Sequence, residues 1–315
     1  MDAYLFKCIM EGKFRNLYFG LTKKKIKSKK FAGKRLLTSK QTNTEIYNLI
    51  NSEKPFMVAR YGSVELSVIR DFILKNNGLI KDYSSTALAS IKNNAGVFSA
   101  DSNQCDKFSK LMLSASSKID LLGAWFNELE NYVIKKYGNQ MQLCQLRSLE
   151  PWSFSESPWS AALKGKKVLV IHPFEETIKS QYARREKIFP GTDILPEFEL
   201  KTLKAVQTIA GEKDERFETW FDALEWMYEE ALKIDFDVAI IGCGAYGLPL
   251  AAKLKEAGKQ AIHLGGVTQI LFGIMGKRWE SENCVKVLIN DSWVYPREED
   301  IPKNSKSVEG GCYWR

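Results

Sequence analysis

Residues 242–247 read Gly-Cys-Gly-Ala-Tyr-Gly, the spacing G-x-G-x-x-G, between the apolar run Val238 to Ile241 and the helical pattern that begins at Leu248. In that context the spacing suits phosphate chemistry. Gly242 permits a tight turn, Gly244 lets the backbone approach a diphosphate, and Gly247 allows a helix to pack closely. A dinucleotide site also needs an Asp or Glu about 20 residues further on, to bind a ribose hydroxyl. The next apolar run, Gln260 to Leu264, ends instead in His263 and two glycines. The missing acid weakens an NAD(P)-dependent oxidoreductase or epimerase. Two readings stay open: a phosphate or nucleotide cradle of another kind, or a corner that only turns the chain.

That next run brings a second turn of the same kind. In His263-Leu264-Gly265-Gly266-Val267-Thr268-Gln269, the glycines bare backbone N–H groups and Thr268 is placed to cap a helix starting at Gln269. Such a helix start suits an anion. The only two histidines, His172 and His263, both close apolar runs. Either could hold a diphosphate oxygen or move a proton near neutral pH; a half-buried, hydrogen-bonded histidine is the structural alternative. Arg60, Gly62 and Glu65 end a third run, in ARYGSVEL at 59–66. Arg60 offers a phosphate contact, and Glu65 a general base or a ligand for a divalent cation. An Arg60–Glu65 ion pair bracing the turn is the alternative there. Lys179, Arg184 and Arg185 follow His172 and could reach an anion from a helix.

All these residues stand where apolar runs end. Short β-rich runs at 55–62, 118–125, 141–148, 166–173, 236–244, 259–266 and 285–291 alternate with helical patterns. Within 217–234, Trp220, Phe221, Leu224, Met227, Tyr228, Ala231 and Leu232 recur at three- and four-residue steps, the mark of an amphipathic helix. Another helix runs from Leu248 toward Gly258, a residue suited to a helix C-terminus. Nearly continuous apolar strands separated by helices predict a doubly wound α/β fold, with a mostly parallel, Rossmann-like sheet covered on both faces. Ligands of such sheets bind beyond the C-terminal strand ends. That rule nominates Arg60 to Glu65, Trp125, Arg147, His172 to Phe174, Gly242 to Gly247 and His263 to Gln269. The chain divides into a basic arm (1–40), a first α/β part (41–150) and a second (151–315). The Pro-, Ser- and Trp-rich tract 148–165 either joins the two parts or closes over a ligand.

With 315 residues and 44% hydrophobic content, the composition is that of a folded globular chain. Six scattered cysteines, the lack of a C-x-x-C pair and the lack of a secretory leader pattern predict a cytoplasmic protein. No apolar run reaches the roughly 20 residues that span a bilayer. The net charge of +8 is concentrated in residues 1–40, where 12 Lys/Arg face Asp2 and Glu11 alone. The basic run Thr22 to Arg35 follows Phe6, Phe14, Leu17, Tyr18, Phe19 and Leu21, a mixture suited to an anionic membrane surface. A solvated extension is the alternative, and nothing in the chain has the pattern of a nucleic-acid module.

The stretches ARYGSVEL, LKGKKVLVIHPF, IIGCGAYGLPLAAKLKEAGK and HLGGVTQILFGIMGKRW resemble a group of bacterial proteins from polysaccharide-biosynthesis loci, similar to glycosyltransferases of the GT-D fold type. The resemblance spans roughly residues 50–295 and is most specific in the last two stretches. It implies transfer of a sugar from a nucleoside diphosphate carrier, such as a UDP-sugar, to a glycan or lipid-linked glycan acceptor. In GT-D enzymes an Asp-x-Glu motif after an early strand is associated with Mn2+ or Mg2+ and the donor diphosphate. Ser63-Val64-Glu65 occupy the matching positions, so Glu65 carries over and the Asp does not.

Joined to the turns above, the resemblance places a donor against Arg60, Gly62, Gly242, Gly244, Tyr246, Gly247, His263, Gly265, Gly266, Thr268 and Gln269. Glu65 and His172 take the catalytic roles, Glu65 as base or metal ligand, and Trp125, Trp152 and Tyr246 offer stacking surfaces. The basic arm would hold the enzyme at the periphery of the inner membrane. A non-catalytic nucleotide-sugar-binding protein of a polysaccharide assembly complex is the rival from another class.

Overall fold

Apolar runs without polar alternation become the middle of one sheet. The computed structural model describes residues 2–22, 28–138, 140–154 and 156–315. Its strands are β1 (Lys30–Phe31), β2 (Lys34–Leu37), β3 (Phe56–Arg60), β4 (Leu121–Ala124), β5 (Gln142–Gln145), β6 (Lys167–His172), β7 (Glu199–Lys204), β8 (Val238–Ile241) and β9 (Gln260–His263). They lie in the order β1-β2-β5-β4-β3-β9-β8-β6-β7. Among the described residues only the β1–β2 pairing is antiparallel. The doubly wound, mostly parallel sheet expected from the sequence is therefore present.

The two faces are built by alternation along each strand. Met57 and Ala59 of β3 join a core with helices α1 (Ala3–Thr22), α3 (Ser63–Asn76), α4 (Ser85–Ala95), α5 (Ser102–Ser116), α6 (Glu130–Tyr137), α8 (Trp220–Leu232) and α9 (Gly247–Glu256). Phe56 and Val58 face the other core, with α2 (Ser39–Asn51), α7 (Glu175–Tyr182) and α10 (Thr268–Leu271). Each fully buried Val, Leu, Ile or Phe contributes about 1.5–3 kcal/mol relative to exposure. The ends of α8 and α9 follow local rules: Thr219 and Asp222 form a capping box, and Gly258, at φ +84, ends α9.

Adjacent strands send their chains to opposite faces. After β3 the chain enters α3 on the first face, and after the neighbouring β9 it enters α10 on the second. The adjacent pair β8 and β6 does the same through α9 and α7. Such divergence opens crevices at the C-terminal strand ends.

Several local expectations are corrected. The run 285–291 is not a strand. It begins in the short helix Asn283–Lys286, and Val285, Leu288 and Ile289 turn inward while Val287 is 81% exposed. Conversely, ELKTLK at 199–204 forms edge strand β7, concealed in the sequence by its exposed charges, which protect an edge from further pairing.

The tract 148–165 is the covalent link from β5 to β6. It buries Trp152 and Trp159, and Asn43 clamps it by bonding Ser157 O at 2.8 Å and Trp159 N at 2.7 Å. The region read as a basic arm is largely built structure. In it α1 rests on α6 through Tyr4 and Tyr132, and β2 extends the sheet beside β5. Lys23, Lys24, Lys25, Ile26 and Lys27 of the basic run lie outside the described residues.

Candidate functional site

A cavity of about 1290 Å³ opens along the C-terminal ends of β3 through β9. Drug-sized ligands occupy roughly 300–1,000 Å³, so the space suits a nucleotide sugar together with part of a second substrate.

Arg60 closes β3 and is held from three sides. Its Nε donates to Tyr61 O at 2.9 Å, its guanidinium lies 4.4 Å from the centre of the Trp125 ring, and Gly265 packs against its Nη1. Among the described residues Arg60 forms no ion pair, so the bracing Arg60–Glu65 pair is absent. Burial draws its pKa down, opposed by Tyr313 and Glu65. A fixed cation without a carboxylate partner, in a cavity wall, is suited to a phosphate.

Trp125 is positioned by a residue the sequence reading overlooked. The buried Glu130 carboxylate accepts from Trp125 N at 3.0 Å and Asn127 N at 2.8 Å, fixing the loop after β4. Burial pushes this carboxyl up to about 7.

Glu65 lies in the first turn of α3 and folds back over Gly62, where a Cβ would overlap its carboxylate. Gly62 is thus required by Glu65 itself. Burial raises the Glu65 carboxyl, opposed by its own backbone N–H and by Arg60. Among the described residues no group of three or more His, Cys, Asp or Glu side chains could hold a metal ion. With Ser63 in place of an Asp, the residues present do not fit a metal centre held by the protein.

The two histidines differ. His172 Nδ1 accepts from Phe174 N at 3.0 Å, which puts the proton of the neutral ring on Nε2. His263 Nδ1 lies 3.3 Å from Ile241 O and donates to it, leaving Nε2 unprotonated. Burial holds both near 3, so both are neutral at pH 7. Only His172 then has an N–H free to donate to an anion; His263, which also lines the cavity, presents an acceptor nitrogen.

The glycines mostly make room for protein side chains. A Cβ on Gly242 would meet His172 Cδ2 at 2.7 Å and Thr268 Oγ1 at 2.6 Å, and one on Gly247 would overlap the His263 ring. One on Gly266 would meet Tyr313 Cε1 at 2.6 Å. Gly244 differs: its φ is +57 and a Cβ built there would come no closer than 3.7 Å to Ala95 O, so the backbone there is open.

Gly247 and Thr268 do not line the cavity. Thr268 begins α10 without capping it, and its hydroxyl donates to Ile241 O at 3.4 Å. Gln269 borders the cavity, but its amide is engaged by Ile274 O and Met275 O. Tyr246 borders the cavity while nearly buried, stacked on Trp220 at 4.6 Å with its hydroxyl 2.9 Å from Thr208 Oγ1, so the stacked face is closed to a base or sugar. Trp152 lies in the core, its Nε1 donating to Glu150 Oε2 at 3.1 Å. Lys179, Arg184 and Arg185 turn away toward Glu175, Gln181 and Glu197.

Two features of the wall come from residues the sequence reading did not single out, and a third from one it did. Glu150, five residues past β5, lines the cavity, and burial raises its carboxyl to about 7. Arg278 pairs with Glu309 and lies 4.9 Å from the Tyr313 ring, closing one side with the C-terminal segment. Arg147, nominated by the strand-end rule, pairs with Glu282 at 2.5 Å. The strand-end rule, carried a few residues further, would have reached Glu150. Nothing local marks Tyr313 or Glu309.

The model of the GT-D fold-like domain matches residues 37–271. No curated protein matches the chain. Two solved structures are similar to it. One is described as showing that the highly conserved domain of unknown function 1792 has a distinct glycosyltransferase fold; it is 12% identical, with 85% of this chain and 93% of that chain covered, at a TM-score of 0.44. The other, a selenomethionine-substituted structure of the same domain, is 14% identical, with 75% and 79% covered, at 0.40.

Proposed function

The chain belongs to the GT-D fold-like family, and from that membership we propose that it transfers a sugar from a nucleoside diphosphate donor to a glycan acceptor of a surface polysaccharide. The observation that carries this is Arg60, a partly buried guanidinium without an ion-pair partner among the described residues, stacked on Trp125 in the strand-end cavity. A leaving diphosphate is the group in this reaction that such a cation would neutralise.

In the transfer, the acceptor hydroxyl forms a bond to the anomeric carbon and the bond from that carbon to the diphosphate oxygen breaks. The electron pair leaves with the diphosphate. Arg60, the open backbone at Gly244 and the Nε2–H of His172 take its oxygens. The hydroxyl proton passes to a carboxylate, for which Glu65 lines the same cavity as Arg60, its carboxyl raised above the usual carboxylate range by burial. Glu150 supplies a second carboxyl to the same cavity, suited to accepting sugar hydroxyls. A divalent cation could take one protein oxygen from Glu65 and would need the rest from donor phosphates and water, so no step is routed through it.

Calorimetric titration with UDP- and GDP-sugars tests the reading. Saturable binding that is weakened at least about tenfold by Arg60→Ala supports it. Tight NAD(H) binding with no response to nucleotide sugars would sink it in favour of an oxidoreductase or epimerase. If Glu65→Ala and His172→Ala both preserve function in cells, the protein is a non-catalytic binding component.

A further inference from the structure

We propose that the outward face of α1 docks on an anionic bilayer surface and holds the cavity mouth toward a lipid-linked acceptor. The docking stands on its own; the acceptor assignment rests on the transferase reading.

The helix has two opposite faces. Leu5, Cys8 and Gly12 turn inward, and a Cβ on Gly12 would meet Glu128 Cγ at 2.9 Å. Phe6, Met10, Phe14, Leu17 and Leu21, at steps of four, four, three and four, fall within one stripe on the far side, 49% to 78% exposed. From Lys13 to Thr22 every residue but Arg15 is exposed. This half of α1 therefore carries an exposed apolar stripe, while Arg15 ties its inner side to Asn127 O and the Phe31 ring.

Charge complementarity identifies the occupant. Residues 1–40 carry 12 Lys/Arg against Asp2 and Glu11, and Lys7, Lys13, Lys29, Lys30 and Arg35 are exposed. An apolar helical stripe beside concentrated positive charge matches the interface of a bilayer containing anionic lipid, where each nearby Lys or Arg adds on the order of 1 kcal/mol. Among the described residues no helix is long and apolar enough to cross a membrane, so α1 would lie on the surface.

The same helix borders the site. Phe14 and Tyr18 line the main cavity, while Arg15, Asn16 and Phe19 line a cleft of about 340 Å³ that shares Ser63, Trp125 and Phe126 with it. A helix laid on the membrane would bring both openings to the height of lipid headgroups, where a lipid-linked glycan presents its sugar.

Cosedimentation of the full chain with phosphatidylcholine vesicles, with and without phosphatidylglycerol, tests the docking. The expected result is pelleting that requires phosphatidylglycerol, weakens with salt, and falls about tenfold or more in Leu17→Asp/Leu21→Asp. Both positions lie outside the cavity, so the variant should keep the wild-type melting temperature and nucleotide-sugar affinity. Wild-type protein left in the supernatant, or a double variant that pellets like wild type, overturns the proposal. So does a dimer, detected by light scattering and dissolved by the same substitutions, if vesicles are not bound. Vesicle binding without nucleotide-sugar binding would leave the surface standing and remove the transferase reading.

Discussion

Gly247 stands so close to the His263 ring that a Cβ at this position would overlap its Cε1 and Nδ1 atoms. Gly242 relates to His172 in the same way. The first and last glycines of the G-x-G-x-x-G spacing thus seat two imidazoles, and Gly244 alone keeps open backbone. The motif serves the cavity by setting the histidines in its wall.

Gly247→Ala should therefore displace His263 and strain the β9 end against which Arg60 rests. The expected cost is about 1–3 kcal/mol in urea denaturation, as for other overpacked interiors, with weaker nucleotide-sugar binding. Gly20→Ala, which meets nothing within 4 Å, serves as the control. Equal stability of the two variants would show that the ring moves aside freely.

Arg60→Lys preserves charge but removes the planar fork and much of the stacking on Trp125. Donor affinity should fall by roughly tenfold to a hundredfold, the range for losing a charge-assisted contact worth about 1.5–3 kcal/mol. Trp125→Ala should reproduce part of that loss by freeing the guanidinium. Isothermal titration of wild type and both variants checks this; an unchanged dissociation constant in Arg60→Lys would place the diphosphate elsewhere.

Much of this arrangement was legible in the sequence, and the exceptions have physical causes. Buried parallel strands read clearly because neither face needs polar residues, and the strand-end rule reached Arg60, Trp125, Arg147 and His172. Tyr246 borders the cavity, as its place in the glycine motif suggests, but its side chain is buried and one ring face is covered. Its burial is decided by Trp220, 26 positions earlier on α8, which no local pattern reveals. Glycines were read as spaces for a ligand when most are spaces for His172, His263 and Tyr313. Sequence shows that room is needed, and only tertiary structure shows what fills it. β7 was missed because its edge charges hide a strand, and 285–291 was misassigned because its strand-like composition hides residues that turn inward from a short helix.

The buried acids and histidines make opposed contributions to pH-dependent stability. His172 and His263, held near 3, cannot accept the protons that the unfolded chain takes up below about 6.5. Their contribution is complete above 6.5 and is lost as pH falls toward 3. Glu130 and Glu150, raised from 4.5 to about 7, keep protons that the unfolded chain releases. Their contribution is complete below 4.5 and is lost as pH rises through 7. The pairs oppose each other between those limits. Glu150→Gln removes one opposing acid, so its stability should decline more steeply than wild type on acidification from pH 6.5 to 4.5. At pH 8 it should exceed wild type by on the order of 1–3 kcal/mol. Urea midpoints at pH 8, 6.5 and 4.5 measure both effects, and parallel curves for the two proteins would contradict the raised Glu150 carboxyl.

Ser63 offers the sharpest test of how the donor charge is met. It occupies the first turn of α3 two residues before Glu65 and lines the cavity, but a neutral hydroxyl is a weak ligand for Mn2+ or Mg2+. If Arg60 and His172 carry the diphosphate, manganese should change wild-type donor affinity by less than about twofold. Ser63→Asp adds the second carboxylate without lengthening the chain, at a helix N-terminus that tolerates negative charge. Without metal, the added charge should repel the diphosphate and weaken binding. With manganese, affinity should recover past its metal-free value by about tenfold, since a cation held by two carboxylates can bridge the phosphates. Titrations of both proteins with and without manganese decide the matter. A strong manganese requirement in the wild type would mean that Glu65 and the donor alone assemble the ion, and the charge-neutralising role assigned to Arg60 would pass to the metal.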